Sequence, residues 1–128
     1  SSPGKLSRIS FDGALGRAQK SELLSRQPPE KQQELILNYL RAFDAEIEDS
    51  EQLTKRNYFG AMFDVFDEVV RKAKKELNSV KLPALQTVVS LFSDISEANY
   101  TGAAKRQRLV EEMRNRLHSD VRIDAEEI

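Results

Sequence analysis

Three acids at helical spacing and two groups of bases are the side chains of this chain that could do chemistry. Asp64 stands one helical turn from Asp67 and Glu68, a spacing at which carboxylates can share a metal ion. Iron–carboxylate bundles, however, need Glu-x-x-His pairs on facing helices. The chain has one histidine, His118, near a helix end, and no cysteine. Zinc–thiolate sites, disulfides and a cysteine nucleophile are thereby excluded. No G-x-S-x-G, P-loop or G-x-G-x-x-G occurs, and the glycines are scattered. No catalytic, cofactor-binding or metal residue is assigned, and the expectation is a protein that is not an enzyme and carries no cofactor.

The bases suit binding. Arg71, Lys72, Lys74 and Lys75 close one helix, and Arg106, Arg108 and Arg114 punctuate the last one. Twenty Lys and Arg against 21 Asp and Glu leave a net charge of −1, which argues against a dedicated nucleic-acid binder. Acid precedes base along the chain, from Asp44–Glu51 (DAEIEDSE) and Asp64, Asp67 and Glu68 to the RKAKK run. That order is what the helix macrodipole favours. The expected function is a non-catalytic protein–protein interaction domain, a scaffold, adaptor or regulatory part of a larger protein or complex. Its expected partner-binding residues are Arg106, Arg108, Arg114, Lys72 and Lys75. The alternative is a regulatory helical module touching nucleic acid or other phosphates through Lys72, Lys74, Lys75 and the last-helix arginines. Arg106 stands out because it interrupts the stripe of Ala103, Val110, Met113 and Leu117. It either pairs internally with an acid such as Asp67 or anchors an acidic group of a partner.

Helices must position these groups. Charged residues are 32% and apolar ones 39%, with few Gly and Pro, a balance that fits a helical domain of one core. No clean period-2 alternation survives. A weak helix is expected from Asp12, its N-cap, to Ser25, with Leu15, Ala18 and Leu23 or Leu24 as apolar positions. Pro28-Pro29 ends it and opens a helix from Pro29 to about Glu48, whose stripe is Ile36, Tyr39, Leu40, Phe43 and Ile47. Asp49 and Gln52 suggest a capping box for the longest helix, reaching Leu77. Tyr58, Phe59, Met62, Phe63, Phe66, Val69, Val70, Ala73 and Leu77 form its broad aromatic face, which is core rather than a cofactor box. A hairpin follows. Pro83 starts its first helix (Leu85, Val88, Val89, Phe92, Ile95), Asn99-Tyr100 turn, Thr101 caps, and Gly102-Ala103-Ala104 permit a tight helix crossing. The fold class is therefore all-α, an antiparallel bundle of four to five helices spanning 11–118.

Residues 1–10 are expected to be a flexible segment, in which Ser7 and Ser10 flank Arg8 in a generic basic-directed kinase pattern. SSPGKLSRIS lacks the apolar core of a secretory signal and is expected to be a boundary within a longer protein. Residues 119–128 form a C-terminal tail that extends the last helix or begins another element. No apolar run approaches the ~18 residues of a membrane span, and a cytoplasmic or nuclear setting is expected.

The run from Pro83 through Val110, with Asn99-Tyr100-Thr101 ahead of Gly102-Ala103-Ala104, resembles one small helical domain. It is the domain shared by the C-terminus of the outer COPII coat subunit and the steroid receptor RNA activator protein. The resemblance covers residues 32–113 and implies a scaffold domain without catalytic residues. An aromatic turn followed by alanines also opens the second helix of tetratricopeptide-type hairpins, although no repeat of that length is present.

Overall fold

Pro28 holds an extended backbone (φ −61°, ψ 156°), and Pro29 occupies the first turn of the helix that carries most of the core, Pro29–Glu46. A proline there forfeits no intrahelical hydrogen bond. The computed structural model describes residues 11–126, which form seven helices joined by short turns, with no strand among the described residues. They are α1 (Phe11–Ala18), α2 (Glu22–Ser25), α3 (Pro29–Glu46), α4 (Arg56–Asp64), α5 (Phe66–Leu77), α6 (Leu82–Val89) and α7 (Lys105–Glu126). The all-α bundle is as expected. Ser7, Arg8 and Ser10 lie outside the described residues.

Packing divides the bundle in two. α6 lies against both α3 and α5, whereas α7 lies against α4 and α1 against α3 and α4. The whole expected stripe of α3 is buried, joined by Leu35 and Ala42. Tyr39 stands at its centre, with ring centroids 5.0 Å from Phe43, 5.4 Å from Phe63 and 4.8 Å from Phe66. The aromatic hub expected on one helix is thus shared between α3 and α4–α5. Burial pushes the Tyr39 hydroxyl well above its ordinary pKa, and that hydroxyl donates to the Met62 carbonyl.

Several expectations change. The first helix is two: the chain turns at Gln19-Lys20, and Ser21 caps α2 by accepting from the Leu24 amide at 3.0 Å. Asp12 falls inside α1 rather than ahead of it. The expected longest helix is also divided. Ser50–Thr54 form a 3₁₀ turn, Lys55 is extended, and Val65 (φ −102°, ψ 10°) kinks the chain between α4 and α5. Met62 O is the acceptor that Phe66 N–H would use in a straight helix, so the Tyr39 hydroxyl enters the ladder at the kink. The bend also lets α4 face α7 while α5 faces α6. Leu77, expected on the buried face, is 42% exposed, and Phe63 is only partly buried.

The tight hairpin is absent. α6 ends at Val89, Ser90–Phe92 and Glu97–Asn99 are 3₁₀ turns, and α7 begins only at Lys105, so Thr101 does not cap it. Gly102 takes the left-handed φ of 86° that a side chain disfavours, and Ala103 and Ala104 are exposed. Helices approach closely at Gly60 instead, where a Cβ would lie 2.8 Å from Arg106 Nε. The capping box is replaced by a different bond. Gln52 is buried, and its amide donates to the Ile95 carbonyl at 2.9 Å and accepts from the Glu97 amide at 2.7 Å. Paired in this way, a buried glutamine carries little desolvation cost.

Candidate functional site

The acids at helical spacing meet the arginines of the last helix. Arg106 grips Asp64 with two bonds of 2.7 Å, and Arg114 grips Glu68 at 2.8 and 3.2 Å. Asp67 accepts from the Ser21 hydroxyl. These contacts tie α7 and the start of α2 to the α4–α5 segment. Hydrogen bonding by the carboxylates raises the pKa of both guanidiniums. Arg106 therefore has an internal partner, Asp64 rather than Asp67. Side-chain exposures of 34% to 48% hold each such pair to about 1 kcal/mol or less. Arg116 joins α7 to the 90–94 turn, bonding the Leu91 carbonyl at 3.0 Å and Asp94 at 2.6 Å, and so holds the Asp94 carboxyl below its usual range.

Gly60 makes the Arg106 geometry possible, because the guanidinium lies where a side chain would stand. Gly60→Ala gains up to ~1 kcal/mol of helix propensity and loses the displaced ion pair, so its net effect is small. The coupling is the informative quantity. Arg106→Met should cost about 0.2–1 kcal/mol in the parent chain and nothing in Gly60→Ala, measured by chemical denaturation of the four proteins. An equal cost in both backgrounds would show that Gly60 does not seat the guanidinium.

The remaining expected binding residues divide. Lys72 is engaged by Glu76 one turn on, at 2.8 Å. Arg108 and His118 are exposed on α7. Lys75 opens onto a groove of about 630 Å³. One wall of that groove is α2 and the first half of α3, and the other is the end of α5 with the 78–81 turn. Leu23, Leu35, Val70 and Val80 make its apolar floor. Lys31, Arg71, Lys74, Lys75 and Lys81 rim it, and Glu34 is the one acid in its lining. Those five bases form no ion pair with a described residue.

Sequence reading reached Lys74 and Lys75 but not the other half of the groove. Leu23, Lys31, Leu35 and Lys81 carry no local signal, since only the packing of α2 and α3 beside α5 assembles them. Among the described residues, no group of three or more His, Asp or Glu side chains could hold a metal, and no helix is long and apolar enough to cross a membrane. Compared with known proteins, the chain matches no family model, no curated protein and no solved structure.

Proposed function

We propose that this domain is a non-catalytic protein–protein interaction module and that the groove between α3 and α5 receives a segment of its partner. The observation that carries this reading is the groove itself, an open cleft of about 630 Å³ in which the partly buried Leu23 and Val80 lie beside the buried core residues Leu35 and Val70. Clefts of this size and lining are where ligands and peptide side chains are buried. The acid cluster supports the non-catalytic part, because Asp64, Asp67 and Glu68 are each engaged by Arg106, Ser21 or Arg114 in holding helices together.

The test is amide chemical-shift mapping of the labelled protein titrated with a panel of amphipathic helical peptides. Binding should perturb Leu23, Leu35, Val70 and Val80 most. Leu23→Glu and Val80→Glu, at partly buried positions, should abolish those shifts while the circular dichroism and melting temperature stay near those of the parent. Perturbations elsewhere on the bundle, or none with any peptide, would remove the groove as a docking site. The alternative reading, phosphate contact through Lys72, Lys74, Lys75 and the last-helix arginines, shares Lys74 and Lys75 with the groove. It would be favoured by an oligonucleotide that binds with an affinity falling steeply as salt rises.

A further inference from the structure

We infer that the occupant of the groove is an acidic amphipathic helix of a partner protein, an inference that rests on the docking role proposed above. The placement of the lysines carries it. Lys74 and Lys75 close α5, where cations offset the negative end of the helix macrodipole, so their presence has a structural explanation. Lys31 and Lys81 do not share it. Lys31 lies in the first turn of α3 and Lys81 is the N-cap of α6, and a cation at either position opposes the positive end of its helix.

Two bases set against their own helices, facing the same apolar opening as three others, repel one another and are unpaired by any described carboxylate. Three arginines of α7 show the contrast, since Arg106, Arg114 and Arg116 each hold an acid. Local rules broken around a cleft are what a binding function leaves behind. Carboxylates on a partner relieve the repulsion and steer its approach.

The apolar floor sets the partner's shape. Among the described residues there is no strand, and hence no sheet edge to which an extended peptide could add. The mode that an apolar cleft between two helices suits is a helix laid in the groove, with apolar residues at i, i+3 or i+4 and i+7 toward Leu23, Leu35, Val70 and Val80. Glu and Asp on its two flanks then meet Lys31 on the α3 wall and Arg71, Lys74, Lys75 and Lys81 on the wall made by the end of α5 and the 78–81 turn.

Fluorescence anisotropy with the 128-residue chain tests this, using labelled helical peptides that share one apolar stripe and differ in flanking residues. The Glu-flanked peptide should bind about tenfold or more tighter than the Gln-flanked one at low salt, and the Lys-flanked peptide weakest. Lys31→Glu with Lys81→Glu should remove that advantage. The double variant should melt at the same temperature or higher, because acids suit helix starts. A merely structural pair of lysines would leave affinity unmoved.

Equal binding of Glu- and Gln-flanked peptides would overturn the acidic partner and leave the docking role standing. Failure of every striped peptide would remove both. An acidic peptide lacking the stripe that binds as well as the striped one would overturn the helix-in-groove mode. Anionic phosphatidylserine vesicles that bind where peptides do not would replace the protein partner with a lipid surface.

Discussion

Phe66→Ala is expected to lower the unfolding free energy by about 3–5 kcal/mol, the cost of a large-to-small change in a closed core. Phe66 is 1% exposed, opens α5 just after the Val65 kink, and meets the edge of Tyr39 at 4.8 Å and Phe63 at 6.0 Å. Its removal strips the packing from Tyr39, whose hydroxyl is bonded at the same kink. The surroundings cannot collapse cheaply, because α6 packs against both α3 and α5 and holds them in place. A loss of this size approaches half the stability of an ordinary domain. Phe63→Ala, at a partly buried position beside the Arg106–Asp64 pair, should cost less. Chemical denaturation gives the comparison, and a loss below about 1 kcal/mol for Phe66→Ala would contradict an aromatic hub at this joint.

Asp44 should give the opposite sign. It is buried at 7% exposure, and neither carboxylate oxygen has a hydrogen-bond partner among the described residues. It also sits near the C-terminal end of α3, whose last turn holds no base, so the macrodipole works against it. A buried charge without partners costs free energy that replacement recovers. Asp44→Leu should therefore stabilise the domain by about 1–3 kcal/mol. The near-isosteric Asp44→Asn, which removes the charge but keeps a polar group, should recover a smaller part. Destabilisation by both variants would mean that the carboxylate is satisfied in solution.

Much of the helical core is legible in the sequence. The α3 stripe and the Tyr58–Ala73 face are periodic, and burial enforces that periodicity at every position except the partly buried Phe59 and Phe63. What escapes is decided by contacts across the bundle. Nothing near Val65 announces a kink, because the cause is a hydroxyl on α3. Gln52 looks like a capping residue from its distance to Asp49, yet the open carbonyl and amide of Ile95 and Glu97 draw it inward. Gly102-Ala103-Ala104 suggest a close crossing because small residues permit one, but permission is not a driving force, and Gly102 is needed for its positive φ. Gly60, an unremarkable glycine in a helix, is the one that lets a side chain lie flat across it. The groove was half visible. The end of α5 is a run of bases, whereas the opposite wall is scattered over α2 and α3.

The Gln52 bonds bear on the order in which the chain acquires its shape. They join residues 43 and 45 positions apart, and between them lie α4, α5 and α6. The Ile95–Glu97 backbone thus has no such tether until those three helices have been placed. Its path is imposed from outside, by a side chain that arrives with a distant turn. Within the segment, Ile95 is buried and the Ser96 hydroxyl caps the 97–99 turn, so local side chains shape the turn while the Gln52 bonds fix where it attaches to the bundle.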